Sequence, residues 1–343
     1  MKKTLAFLLV LVMAFSLFGV ASADEVKTYK VGISIYQYTD NFMTLYRNEI
    51  EAYFKTLETE EVKYELYFAD AKNDMVEQTN QMNNFVTQGM DVIILNPVQT
   101  SSADLLIDIA VQNDIPLVLI NREPLAYDAD GNTLDEAYEG ILNNAKVCYV
   151  GADARQSGTY QGELILATAN QGDINGDGKI SYIMIQGDPE NIDAQLRTEY
   201  SVKALTDAGM EVEQLNLTRG DWDREKGQTI CANDLAQFGD QIEVVFCNND
   251  DMAIGALQAI QAAGRVVNED IYLVGVDALA AALNEVQAGN MTGTVLNDAQ
   301  GQAAGAVEQM ELLLGGATYA PGEQSVYVDY VKVTPENVAE FMG

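Results

Sequence analysis

Histidine is absent from all 343 residues. That excludes Ser-His-Asp and Cys-His catalysis in their usual forms, and every metal site that needs an imidazole. Bases are scarce: 19 Lys and Arg stand against 52 Asp and Glu, for a formal net charge of −33. Such acidity argues against nucleic acid, whose phosphates attract Lys and Arg, and against an anionic membrane surface. Only three cysteines occur, Cys148, Cys231 and Cys247, an odd count that cannot form a closed disulfide set. There is no CxxC pair, and in apolar runs such as those around Cys148 and Cys247 a small buried thiol is the plain reading. No glycine-rich phosphate loop of either common type is present. No stretch rich in Pro, Gly or Ser divides the chain.

What is there describes a folded protein. Hydrophobic residues make up 48% and charged residues 21%, the balance of a globular chain rather than a disordered one. The length suits two domains. Lys2 and Lys3 precede an apolar run from Leu5 to Val20, and Ala21-Ser22-Ala23 follows. This pattern predicts a signal peptide over residues 1–23, cleaved after Ala23, and an exported protein.

Short apolar runs alternate with segments of helical spacing. The runs are Val31–Tyr36, Tyr64–Ala69, Val92–Leu95, Leu117–Ile120, Val147–Val150, Tyr182–Ile185, Val212–Leu217, Val244–Cys247, Tyr272–Val276, Thr294–Leu296 and Val326–Val333. Most are continuous, as in parallel strands covered on both faces. Between them, Ala103, Leu106, Ile107, Ala110 and Val111 share one helical face, and so do Met75, Thr79, Met82 and Val86 ahead of Gly89. Repeated βα units predict α/β architecture with doubly wound parallel sheets. The number of strands calls for two sheets.

Ligands of such sheets bind beyond the carboxyl ends of the strands. The residues that follow the runs are Asp40 and Phe42, then Asn96, then Asn121, Arg122 and Glu123. Further on come Asp193 and Arg197, Trp222, Asn248, Asn249 and Asp250, Asp277, and finally Asn297 and Asp298. Any one Asp or Asn here could serve only as a turn residue or helix cap, the role expected for Asn248, Asp250 and Asp298. Their convergence points to a neutral ligand crowded with hydroxyls. Carboxylates accept from hydroxyls, Asn donates and accepts, and Arg donates in a fixed fork. Phe42 and Trp222 suit the two C–H faces of a pyranose ring. With no histidine and with ionised carboxylates, ligand affinity is expected to be nearly flat from about pH 5.5 to 8.

Residues Asp173 to Ser181 match the first nine positions of an EF-hand calcium loop. Asp173, Asn175 and Asp177 supply side-chain oxygens, Gly178 the turn, Lys179 a carbonyl, and Ser181 the ninth position. The twelfth position is Met184, so a carboxylate must come from elsewhere.

The chain resembles the periplasmic galactose/glucose-binding proteins of ABC sugar transport and chemotaxis. Tyr38-Thr39-Asp40-Asn41-Phe42-Met43, the loop Asp173–Ser181 and Asp193-Ala194-Gln195-Leu196-Arg197-Thr198 carry the resemblance. So do Asn248-Asn249-Asp250, Gly275-Val276-Asp277-Ala278-Leu279, and Gly293-Thr294-Val295-Leu296-Asn297-Asp298-Ala299. It implies two lobes joined by three crossings, residues 24–151 with 298–330 and residues 152–297 with 331–343, closing on a monosaccharide. It places Asp40, Asn96, Asp193, Arg197, Asn249, Asp277 and Asn297 on sugar hydrogen bonds, Phe42 and Trp222 on the stacking pair, and Glu243 on the missing calcium carboxylate. Asn191 stands where the family has a sugar-contacting histidine, and Ser181 where its best-known member has Gln. The implied partners are an ABC importer and a chemoreceptor, served by a monomer. The alternative is a glycoside hydrolase using two carboxylates such as Asp40 and Asp277.

Overall fold

The computed structural model describes residues 26–124, 144–320 and 323–342. The expected signal peptide lies outside the described residues. The first sheet is built from β1 (Lys27–Ile35), β2 (Val62–Asp70), β3 (Val92–Leu95), β4 (Leu117–Ile120), β5 (Val147–Gly151) and β11 (Ser325–Tyr327). Their spatial order is β11-β5-β4-β3-β1-β2, with every pair parallel. The register sets Val31 against both Leu66 and Val92. Successive residues point to opposite faces, and both faces are buried. Ile94, Val118, Ile120 and Cys148 pack under α1 (Asn41–Leu57) and α9 (Ala299–Leu314). Ile93, Leu95, Leu117 and Leu119 pack under α2 (Met75–Gln88) and α3 (Ala103–Gln112). The continuous apolar runs follow directly from this double cover.

The second sheet has the order β7-β6-β8-β9, from β6 (Lys179–Gln186), β7 (Glu211–Arg219), β8 (Val244–Cys247) and β9 (Tyr272–Val274). Parallel bridges Val274–Gly293 and Asp277–Leu296 extend it to β10 (Thr294–Leu296), which pairs antiparallel with β12 (Val331–Val333). Its faces are covered by α4 (Ala154–Leu166), α5 (Ile192–Asp207), α6 (Arg224–Phe238), α7 (Asp250–Ala262) and α8 (Ala280–Gln287). The architecture is a pair of doubly wound α/β lobes of periplasmic-binding type I form. The chain passes between the two sheets three times: after β5, after β10, and between β11 and β12.

Two local readings change. The run Val326–Val333 is not one strand: β11 ends in the first sheet and β12 begins in the second. Between them Val328 N–H bonds the Gly151 carbonyl at 2.8 Å and Tyr330 N–H bonds Gln156 Oε1 at 2.7 Å, so the β-rich run serves both lobes in turn. Helix α2 keeps its expected ends. Asp74 caps it, and Gly89 closes it at φ 67 in the left-handed region that glycine tolerates. The buried stripe, however, is Gln78, Gln81, Met82 and Phe85. Gln78 Nε2 donates to the Asn96 carbonyl (2.9 Å) and its Oε1 accepts from Val98 N–H (2.7 Å). Gln81 Nε2 donates to the Asp70 carbonyl (2.7 Å). These amides are buried because they tie α2 to the carboxyl ends of the strands.

Candidate functional site

The strand ends of the two lobes face each other across a cleft. Nine of the expected residues line it: Asp40, Phe42, Asn191, Asp193, Arg197, Trp222, Asn249, Asp277 and Asn297. Each position has a local cause. Asp40 is the N-cap of α1, accepting Met43 N–H at 2.8 Å, and it also accepts the Tyr36 hydroxyl. Asn191 caps α5 and Asn249 caps α7. Helix ends thus bring capping side chains to the cleft. Asn248 and Asp250 do not cap. Asn248 Oδ1 accepts Gly187 N–H, while buried Asp250 accepts Leu279 N–H and the Thr294 hydroxyl, tying three segments together. Asp298 does cap, accepting Gly301 N–H at 2.9 Å.

Asn96 departs from expectation. It is fully buried under the cleft wall. Its Nδ2 donates to the Ile120 carbonyl (3.1 Å) and to Asn121 Oδ1 (3.2 Å), and its Oδ1 accepts from Tyr36 N–H (3.3 Å). Those bonds spend its polar atoms on the loops after β1 and β4. Asn121 and Arg122, together with Tyr36 and Met43, line the cleft instead. The guanidinium of Arg122 lies 3.4 Å above the Tyr36 ring. Both Asn121 and Arg122 follow a strand, which is the signal that marks them.

Arg197 is the hub. Its Nη1 donates to the Asn248 carbonyl (2.9 Å) and its Nη2 to the Tyr330 hydroxyl (3.1 Å). Asp193 Oδ2 lies 3.6 Å and Asp277 Oδ1 3.9 Å from its terminal nitrogens. Its Nε, buried, has no partner among the described residues. Asn297 Nδ2 donates to Asp277 Oδ1 at 3.2 Å, and Gln302 Nε2 braces Asn297 at 2.5 Å. Trp222 lies against Gly187, where a Cβ would come 2.2 Å from the indole. At the rim the lobes touch: Asn41 Nδ2 donates to Asp251 Oδ2 (2.7 Å), and the Thr100 hydroxyl donates to the Glu190 carbonyl (3.1 Å). The lobes are closed at the rim, and the inner cavity between them is about 30 Å³.

The arrangement of two α/β lobes around a polar cleft has known counterparts. The profile of the periplasmic binding protein domain matches residues 31–318. The chain belongs to the periplasmic binding protein family. Over the full length of both chains, this binding protein is 34% identical to the D-galactose/methyl-galactoside binding periplasmic protein MglB of Haemophilus influenzae. It is 28% identical to a xylitol-binding protein of Mycolicibacterium smegmatis, over 92% of this chain and 78% of that one. Among solved structures, an ABC transporter solute binding protein from Bacillus halodurans with bound myo-inositol superposes with a TM-score of 0.75. That match has 28% identity and covers 94% of this chain and 99% of that one. The family binds solutes and is not a family of enzymes, which removes the hydrolase alternative. The chain is a periplasmic sugar-binding protein of ABC transport, and family membership implies export from the cytoplasm. No helix among the described residues is long and apolar enough to cross a membrane.

Electrostatics in the closed cleft of this binding protein run against a flat pH profile. Burial raises Asp277 to about 7, with Arg197 pulling down and Asp40 adding to the rise. Burial raises Asp193 to about 6, against the opposing pull of Arg197 and Arg122. Both groups therefore titrate within the window that was expected to be silent.

The loop Asp173–Ser181 lies away from the cleft at the start of β6. Asp173 accepts N–H groups from Gly176 (2.7 Å), Asp177 (3.2 Å) and Gly178 (3.0 Å), and Asn175 Oδ1 accepts from Asp177 N–H (2.8 Å). Glu243, 1% exposed, receives Ile174 and Asn175 N–H on one oxygen and Ser181 N–H on the other, at 2.7–2.9 Å. Among the described residues no three Asp, Glu, Cys or His side chains draw together as a metal centre. The loop, Lys179 and Ser181 at the head of β6, and Glu243 are nonetheless brought to one place by hydrogen bonding.

Proposed function

We propose that this binding protein captures D-galactose and D-glucose in the interlobe cleft and delivers them, as a monomer, to an ABC importer and to a chemoreceptor. The observation that carries the reading is the convergence of Asp40, Asp193, Arg197, Asn249, Asp277 and Asn297 with Phe42 and Trp222 on one cleft. Carboxylates and amides serve ring hydroxyls, Arg197 donates to a ring or hydroxyl oxygen, and the aromatic pair covers the apolar C–H faces. The cleft is lined from both lobes, so the ligand comes in with the lobes apart and is enclosed as they close. Calorimetric titration with galactose, glucose, ribose, xylitol and myo-inositol tests it. Galactose or glucose should bind at micromolar Kd or better, about −8 kcal/mol. Tighter binding of myo-inositol or xylitol than of either hexose would replace the hexose reading with a polyol one.

We propose further that Asp173, Asn175, Asp177, the Lys179 carbonyl, Ser181 and Glu243 hold one structural Ca2+. Support comes from the EF-hand spacing and from the buried Glu243 carboxylate on the loop. A carboxylate has about four acceptor positions, so the bonds from Ile174, Asn175 and Ser181 N–H leave about one for a cation.

A further inference from the structure

Arg197 stands between two carboxylates yet pairs closely with neither. Asp193 Oδ2 and Asp277 Oδ1 lie 3.6 and 3.9 Å from its terminal nitrogens, beyond hydrogen-bond length. Its two hydrogen bonds among the described residues run instead to neutral acceptors, the Asn248 carbonyl at 2.9 Å and the Tyr330 hydroxyl at 3.1 Å. A guanidinium and a carboxylate form stronger, charge-assisted bonds when they meet, and Asp193 is one helical turn away on α5. Something must hold Nη2 off Asp193, and the Tyr330 hydroxyl is the group bonded to that nitrogen.

Tyr330 is itself anchored. It is 3% exposed and lies on the third crossing, directly before β12. Its N–H donates to Gln156 Oε1 at 2.7 Å, which ties the residue to α4. Tyr330 is not among the residues that line the cleft, so it acts on a ligand through Arg197. Burial pushes its hydroxyl up to about 12, with Arg197 pulling it down. The acceptor is therefore neutral at ordinary pH. It fixes the guanidinium without cancelling its charge, as a carboxylate in that place would.

We propose that Tyr330 is a positioning residue of the sugar site: its hydroxyl holds Arg197 off Asp193 and leaves that carboxylate free to accept from sugar hydroxyls. The proposal rests on the sugar-binding reading of the cleft. Without the hydroxyl, Arg197 closes on Asp193 and occupies lone pairs that a sugar needs.

The test compares wild type with Tyr330→Phe, which removes only the hydroxyl. Galactose and glucose are titrated calorimetrically from pH 5 to 8. Affinity in the variant should fall by about tenfold or more. The released Nη2 should pair with Asp193, and a closer cation favours the ionised carboxylate. The part of the affinity climb that belongs to Asp193 should therefore move to lower pH, while the part that belongs to Asp277 stays. Arg122, Asp153, Glu123 and Tyr149 also lie within electrostatic reach of Asp193. The substitution leaves them in place, so the movement reports Arg197. Trp222 supplies a sugar-free readout. It is the only tryptophan of the chain, with the guanidinium carbon 5.7 Å from its ring, and its emission should change as the cation moves. Should melting show Tyr330→Phe unfolded, Tyr330→Met, which also lacks the acceptor, takes its place. Wild-type affinity in the variant overturns the role. Weaker binding with neither the pH dependence nor the Trp222 emission moved also overturns it, because lost packing alone would produce that result. If wild type binds neither sugar, the sugar-binding reading itself fails, and the role with it.

Discussion

Trp222 and Asp277 sit at φ 65 and 115, on the side of backbone space that residues other than glycine seldom occupy. Both line the cleft, so part of the backbone strain falls where side chains must be aimed. Trp222→Ala should weaken sugar binding by about ten- to a hundredfold, read by calorimetry, because a buried aromatic face is lost. Gly187→Ala should displace the indole, since its new Cβ would meet the ring, and should weaken binding without removing the indole. Wild-type affinity in either variant would remove Trp222 from the sugar contact. The raised carboxyls of Asp193 and Asp277 yield a signed pH effect. Sugar hydroxyls donating to a carboxylate favour its ionised form, so binding releases protons, and affinity should climb from pH 5 to about 8. Sugar-free stability runs the other way. A carboxyl raised in the folded state contributes most below its unfolded value near 4 and loses that contribution as pH rises through about 6 to 7. The melting temperature of sugar-free protein should accordingly fall from pH 5 to 8, and sugar should raise it most at the alkaline end. A flat affinity across this range would mean that both groups stay ionised in the sugar-free cleft.

At the scale of elements, polar side chains hold the helices in place around the cleft. Gln78 on α2 bonds the backbone of the segment after β3 on two sides. Gln78→Leu should cost about 1–3 kcal/mol of stability in urea unfolding, because the Val98 N–H and the Asn96 carbonyl lose a buried partner. The loop Asp173–Ser181 offers a second test. A ligand held only by the folded state raises stability. Chelation should lower the melting temperature of wild type, and Glu243→Gln should melt lower and respond little to chelator. Equal melting with and without chelator, after metal removal is verified, would rule out the calcium site.

The described residues form two lobes, each built on a parallel sheet, with three chain crossings between them and hydrogen bonds across the rim. Asn41 and Asp251 come from opposite lobes, and their bond touches neither Arg197 nor Trp222. Asn41→Ala should populate the open form in sugar-free protein, seen as a larger radius of gyration by solution scattering. Sugar affinity should fall by less than about tenfold, because only the fraction of the closed form changes and the ring contacts do not. An unchanged radius would mean that the hinge, and not the rim, sets the closed geometry.

The sequence by itself determined the α/β class, nearly every strand, the glycine end of α2 and most of the cleft residues, with Asn191 added by the family resemblance. These depend on local rules: continuous apolar runs in doubly covered strands, and ligands beyond strand carboxyl ends. The tertiary structure decided what depends on neighbours distant in the chain. Asn96 and Asn121 both follow strands, and only the placing of β3 between β1 and β4 buries the first and exposes the second to the cleft. Val326–Val333 reads as one strand because β propensity carries no record of which sheet a residue joins. Asp193 and Asp277 look like ordinary surface carboxylates until two lobes close over them, and burial is the cause of their shifted protonation.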